Sequence, residues 1–281
     1  MALPEGTHTL IRLALEEDIG TGDQTTLACI PAESRGAARL LVKQEGVLAG
    51  LELAEAICEV VDPGMHRRML MQDGANVVPG DIAFTVTGPA RSILIAERVL
   101  LNFMQHMSGI ATLTRKYVNA VEGTGCRVLD TRKTTPGLRA IEKWAVRIGG
   151  GHNHRFGLYD MVLIKDNHID MAGGVANAIR AVQTHLEANK ISLPVEIECR
   201  NMKELEEVML VDHVQRVMFD NFSLEDLRRA VLRVGGKYET EASGGINLDT
   251  AAAIARSGVN FISVGAITHS APGLDLSLKA M

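Results

Sequence analysis

"PVEIECRNMKELEEVMLVDHVQRVMFDNF", residues 194–222, sets two short apolar strands on either side of one amphipathic helix. In "PVEIECR" and "RVMFDNF" branched and aromatic residues form compact runs suited to buried strands. Between them, "NMKELEEVMLV" (201–211) carries its apolar residues at helical spacing behind an asparagine cap. Strands that repeat at about 22 residues with a helix between them predict a parallel crossover with short loops. The same alternation continues downstream through "SLEDLRRAVLRV" (223–234), "YETEASGG" (238–245), "NLDTAAAIARSG" (247–258) and "FISVGAIT" (261–268). Upstream, "RVLDTRKT" (127–134) and "DMVLIKDN" (160–167) add two more strands, and "GGG" (149–151) stops the helix "LRAIEKWAVRI". Six such units predict an α/β barrel with fewer than the usual eight strands, six or seven, lying in residues 113–270.

Residues 1–112 follow another pattern. A capped amphipathic helix "THTLIRLALEED" (7–18), strand-like pieces within 35–50 and 65–88, and a helix at 51–61 predict an α+β domain. A long helix from about Ala90 into "RKYVNAVEG" leads to the barrel, and the tail 271–281 is expected to pack back on the first domain. With 281 residues and 46 % hydrophobic content the chain can bury a sizeable core. It has no apolar run of eighteen residues and no signal-peptide pattern at its start, which predicts a cytoplasmic protein without a membrane span. Cys29, Cys58, Cys126 and Cys199 lack metal or redox spacing and are expected as buried free thiols.

The net charge of −5 argues against a nucleic-acid surface. Its distribution is uneven: Asp130–His168 holds seven Lys or Arg against four Asp or Glu. Within this basic island Arg132, Lys133, His154, Arg155 and Lys165 fall at or near strand ends, where barrel sites are built. Arginine forks and lysine point charges suit carboxylates and phosphates. Glu198 and Asp220 are the acids at strand ends, and two carboxylates there can hold Mg²⁺ with phosphate oxygens or can pair with lysines. "SGGI" (243–246) and "VGAIT" (264–268) close the last two strands, a common phosphate position in barrels. Arg98 is an odd charge in the apolar helix "SILIAERVLLNFMQHM", either paired with an acid such as Glu97 or facing a partner. His106 and Met107 read as packing residues, and His152 and His168 as structural or peripheral ones.

The set "GTGDQTT", "GVLAG", "LNFMQHMSGIAT", "LDTRKTTPGLR", "EKWAVRIGGGHNHRFGLYDMVLIKDNHI", "VMFDNF", "EASGGI" and "FISVGAITHS" closely resembles the quinolinate phosphoribosyltransferase family, from about residue 18 to 270. The resemblance implies an N-terminal α/β sandwich followed by an incomplete TIM-like barrel, in a homodimer. It implies transfer of phosphoribose from phosphoribosyl pyrophosphate to quinolinate with decarboxylation, a step of NAD synthesis. It sets Arg132, His154, Arg155 and Lys165 on the quinolinate carboxylates, with Arg98 supplied by the partner subunit, and Thr131 at the start of the same strand end. Lys133 would face the pyrophosphate, Glu198 and Asp220 the ribose hydroxyls and Mg²⁺. Ser243, Gly244 and Gly245, with Gly265, Ala266 and Ile267, would cradle the 5-phosphate. The chain departs from the pattern at Cys199 and Arg200, and has one residue more between Glu198 and Asp220; Glu198 is preferred to Glu196 because it lies nearer the strand's carboxyl end. A nicotinate-type or molybdenum-associated phosphoribosyltransferase, a Schiff-base aldolase using Lys165 or Lys133, and a non-enzymatic binding module are the alternatives.

Overall fold

The computed structural model describes residues 3–281. Its elements run α1 (Thr7–Ile19), α2 (Gln24–Cys29), β1 (Arg35–Val42), β2 (Gly46–Val47), α3 (Leu51–Val61), β3 (His66–Met69), β4 (Asn76–Val77), β5 (Ile82–Pro89), α4 (Ala90–Ala120) and β6 (Arg127–Leu129). They continue with α5 (Arg139–Ile148), β7 (Val162–Ile164), α6 (Asp166–Met171), α7 (Val175–Asn189), β8 (Val195–Cys199), α8 (Met202–Met209), β9 (Arg216–Asp220), α9 (Leu224–Val234), β10 (Glu239–Ser243), α10 (Leu248–Ala255), β11 (Phe261–Ser263), α11 (Ala266–His269) and β12 (Leu276–Ala280).

Contacts divide these residues into two compact units. The first comprises the described residues up to Arg115, together with Thr134–Gly150 and Ala266–Met281. Its four-stranded sheet runs β12-β1-β5-β3 with antiparallel pairing throughout. Ala38, Leu40 and Val42 of β1 alternate inward beside Phe84 and Val86 of β5, so one face of the sheet joins the core. The C-terminal strand covers the edge of β1, from Ala38 against Ala280 to Val42 against Leu276. A single unbroken helix spans 90–120, as its periodicity predicts. Three local expectations are corrected. The first helix has no side-chain cap, because Gly6 in a left-handed conformation precedes it. Among "GGG", Gly149 remains helical at φ −68°, and Gly150 at φ +92° makes the left-handed turn. Cys58, Cys126 and Cys199 are buried free thiols, but Cys29 is exposed, at the end of the short helix α2.

The second unit, Lys116–Lys133 with Gly151–Gly265, is a six-stranded parallel sheet in the order β6-β11-β10-β9-β8-β7. Neighbours follow chain order except that β6 joins β11 and not β7, which makes this an incomplete barrel open between β6 and β7. On that open side His152 forms one parallel bridge with Leu129, a rudimentary seventh strand. The caps read from the sequence are in place: Asn201, Ser223 and Asn247 accept backbone N–H groups at the starts of α8, α9 and α10. Helix α7, with the short α6 before it, supplies the helical segment expected between "DMVLIKDN" and "PVEIECR".

The pleat determines where charge goes. Ile197, Val217, Phe219, Ala242 and Ile262 occupy one set of alternate positions and are fully or almost fully buried. The other set carries Glu196 and Glu198, Arg216, Met218 and Asp220, then Glu239, Glu241 and Ser243, matched across strands by register. A face usually filled by branched apolar layers is therefore charged from the amino to the carboxyl ends of the strands.

Candidate active site

Strand β6 ends just before Asp130, which is fully buried. Its carboxylate accepts Asn153 Nδ2 at 2.5 Å and the His154 backbone N–H at 2.8 Å. These bonds tie segment 153–155 to the end of β6. Asp130 was not picked out from the sequence as part of the site; an acid ending an apolar strand just before "TRK" was the available signal. Asp130→Ala leaves a buried backbone donor and an amide without their acceptor, which costs about 2–4 kcal/mol. A urea denaturation midpoint lowered to match checks this.

Beyond Asp130 the chain turns, with Thr131 Oγ1 accepting the Lys133 N–H at 2.9 Å. Arg132 is exposed on this turn, and Arg155 is half-buried with its guanidinium donating to the Met161 carbonyl at 3.2 Å. Burial and then the nearby charge of Arg132 lower the Arg155 pKa. Among the described residues neither arginine has a carboxylate at ion-pair distance. Glu196 and Asp160 act on Arg155 only from beyond that distance, so the two guanidiniums can receive a carboxylate brought from outside.

Acids lie on the following strands. Lys165, at the carboxyl end of β7, reaches Glu198 Oε2 at 2.7 Å. Asp220 closes β9, where Asn221 Nδ2 donates to its Oδ2 at 3.0 Å. Asn221 adopts φ +54°, and its backbone N–H donates to the Ser243 carbonyl at 2.9 Å. Gly244, at φ +94°, leaves room for that side chain: a Cβ would stand 2.2 Å from Asn221 Oδ1. Asn221, another residue not singled out beforehand, thereby links the acid of β9 to the "SGG" loop. Gly265 ends the second unit, and Ala266 and Ile267 open α11 in the first. Arg98 is exposed on α4, in the first unit.

His154, expected on the quinolinate carboxylates, stands among buried acids of the sheet. Its ring is buried, with Nδ1 accepting the Arg155 N–H at 2.7 Å and Nε2 lying 2.9 Å from Glu196 Oε2 and 3.7 Å from Glu241 Oε1. On the far side of Glu241 stands Arg216, at 3.2 Å, which also pairs with Glu239 and stacks on the Phe261 ring at 4.1 Å. His152 serves through its backbone bridge, and His168 Nδ1 accepts the Lys165 N–H at 2.9 Å to cap α6. Cys199 is buried, and Arg200 pairs with Asp170 and Glu204.

Burial pushes Glu196 up to about 7 and Glu241 up to about 8, against Arg216 and, for Glu241, His154, which pull the other way. Arg155 also lowers Glu196, and Glu198 raises it. The folded protein keeps these protons at pH values where the unfolded chain, ionising near 4.5, has released them. Stability is therefore fullest below about pH 4.5 as far as this pair is concerned, and it declines as pH rises through 7 to 8. A calorimetric series should show Tm falling by several degrees over that range, and Glu241→Gln should flatten the slope.

Residues 23–108 match the model of the quinolinate phosphoribosyl transferase N-terminal domain, and residues 110–279 match that of its C-terminal domain. The chain is 47 % identical to the chloroplastic nicotinate-nucleotide pyrophosphorylase [carboxylating] of Arabidopsis thaliana, covering 96 % of this chain and 81 % of that one. It is 43 % identical to the Mycobacterium leprae protein of the same carboxylating name, over 98 % and 97 % of the two chains. Among solved structures, nicotinate-nucleotide pyrophosphorylase from Francisella tularensis superposes with a TM-score of 0.93 at 40 % identity, over 100 % of this chain and 98 % of that one. A human nicotinic acid phosphoribosyltransferase shares only the fold, at 14 % identity and a TM-score of 0.58 over 100 % and 74 % of the chains. The chain belongs to the quinolinate phosphoribosyltransferase family.

Proposed function

We propose that the chain transfers the phosphoribosyl group of 5-phosphoribosyl 1-pyrophosphate to the ring nitrogen of quinolinate, giving nicotinate mononucleotide, pyrophosphate and CO₂ for NAD synthesis. The observation that carries this reading is the pair Arg132 and Arg155, cations that feel each other's charge and have no carboxylate at ion-pair distance among the described residues, in the same unit as the strand-end acids Glu198 and Asp220. Arg132, Arg155 and Lys165 hold the two carboxylates, and His154 contributes through Arg155. Lys133 faces the pyrophosphate, beside the turn that Thr131 shapes. Glu198 and Asp220 meet the ribose hydroxyls, with Glu196 too deep to do so. Ser243, Gly244, Gly245, Gly265, Ala266 and Ile267 receive the 5-phosphate.

The nitrogen lone pair attacks the anomeric carbon as its bond to the pyrophosphate oxygen breaks. The carboxylates of Glu198 and Asp220 stabilise positive charge on the ribose, while Lys133 stabilises negative charge on the leaving group. The 2-carboxylate then departs as CO₂, and the electron pair left on the ring carbon, beside a cationic nitrogen, takes up a proton. These residues also fit Mg²⁺, because two hard carboxylate oxygens suit an ion that keeps waters and completes its shell with substrate phosphates. Bound there, Mg²⁺ supplies charge neutralisation to the pyrophosphate.

The exposed Arg98 has no ion-pair partner among the described residues, Glu97 included, which supports its donation across a homodimer. Among the described residues no helix is long and apolar enough to cross a membrane, and the free cysteines suit the reducing cytoplasm in which we place the enzyme. An aldolase reading is disfavoured because Lys165 is held by Glu198. Calorimetric titration tests the acid-binding assignment. Quinolinate should bind at least about tenfold more tightly than nicotinate, because it offers a second charge-assisted contact; equal affinities would refute it.

A further inference from the structure

Asn221 follows Asp220 at the end of β9 and holds a left-handed conformation, φ +54°. That conformation strains an L residue, although asparagine bears it better than most. Glycine bears it without strain, so backbone shape alone does not call for an asparagine here. The main chain is also fixed without the side chain. The Asn221 N–H donates to the Ser243 carbonyl at 2.9 Å, and the next residue, Phe222, packs on buried Phe219 with ring centroids 5.2 Å apart. The side-chain amide makes two other contacts. Its Nδ2 donates to Asp220 Oδ2 at 3.0 Å. The whole group faces Gly244, where a Cβ would stand 2.2 Å from Oδ1, 2.5 Å from Cγ and 2.8 Å from Nδ2. Gly244, at φ +94°, lies in the loop between β10 and α10.

We infer that Asn221 is a positioning residue for the phosphoribosyl end of the substrate, its amide set between the Asp220 carboxylate and the backbone of Gly244 so that the two keep one spacing. This deepens the functional reading above and rests on it: Asp220 meets the ribose hydroxyls, and the loop 243–245 receives the 5-phosphate. Hydroxyls and phosphate belong to one sugar phosphate, whose reach is set by covalent bonds, so their two receptors must stand at a matching distance. Strands β9 and β10 pair up to Asp220 and Ser243, which sets the spacing of the main chains. The amide sets that of the groups beyond them. A carboxylate free to rotate meets the hydroxyls in only some of its orientations; held at Oδ2, Asp220 keeps Oδ1 for the ribose. Gly244 completes the arrangement, because any side chain there would push the amide off Asp220.

Calorimetric titration of the full-length protein with ribose 5-phosphate, which carries both groups, and with inorganic phosphate, which carries one, tests the assignment. Asn221→Gly removes the amide and suits the backbone; Asn221→Asp keeps the shape and loses the donor. Ribose 5-phosphate should bind each variant at least about tenfold more weakly, while inorganic phosphate stays within about threefold of wild type. The KM for phosphoribosyl pyrophosphate should rise by the same factor and that for quinolinate stay within about threefold, a split that general loss of structure does not produce. The Tm of Asn221→Gly should match that of wild type or exceed it, since glycine relieves the left-handed strain. Equal weakening of both ligands would mean that the amide only shapes the loop, and unchanged ribose 5-phosphate affinity that it positions nothing; either overturns the inference. If one variant does not fold, the other decides; failure of both to fold would make the residue structural and overturn it as well. Wild-type protein that binds neither ligand would sink the functional reading together with the inference, whereas variants that match a binding wild type would sink the inference alone.

Discussion

Arg155→Ala should raise the quinolinate KM by about 100-fold or more while leaving the KM for phosphoribosyl pyrophosphate within about threefold, since charge-assisted bonds in a partly desolvated site each contribute about 2–3 kcal/mol. Arg155 sits half-buried, and burial first and the charge of Arg132 second disfavour its charged form. The cost is recovered when a dianion arrives, so the pair binds an acid better than either arginine alone. Arg132→Ala should behave alike, whereas Arg132→Lys should lose about tenfold, because lysine keeps the charge and gives up the planar fork. Steady-state kinetics with each substrate varied in turn measures these effects. If both KM values rise together, the arginines support the fold and not the acid.

The second large effect concerns Arg98. Arg98→Ala and Lys133→Ala should each reduce activity by at least about 100-fold as separate homodimers. If each site takes Lys133 from its own chain and Arg98 from its neighbour, a heterodimer of the two variants regains one intact site. Random mixing then yields about one quarter of wild-type activity. Two inactive proteins becoming active on mixing has no explanation within a single subunit. Mixtures that stay inactive despite subunit exchange, confirmed by mass spectrometry, would place Arg98 outside the site.

The barrel was legible because parallel strands buried on both sides leave compact apolar runs, and because Asn201, Ser223 and Asn247 mark where helices begin. The start of α1 misled because the cap is a backbone conformation at Gly6, which side-chain chemistry does not announce. Strand-end cations and acids were likewise visible, since they stand out against apolar neighbours. Which way each side chain points was not. Glu196 and Glu198 share a strand face and differ by one pleat, yet one lies under His154 and the other meets Lys165. Asp130 and Asn221 escaped notice because their work is to hold backbone: the first ties 153–155 to β6, and the second bridges Asp220 to the Ser243 carbonyl. Apart from the bond between the neighbours Asn221 and Asp220, these join residues far apart in sequence and leave no spacing to read.

The central claim is tested most directly by incubating the protein with quinolinate labelled at its 2-carboxylate, phosphoribosyl pyrophosphate and Mg²⁺, and following the label and the nucleotide together. The account predicts that labelled CO₂ and nicotinate mononucleotide appear in equal amounts and that nicotinate does not replace quinolinate. Turnover of nicotinate with none of quinolinate, or nucleotide formed with the carboxylate retained, would contradict it.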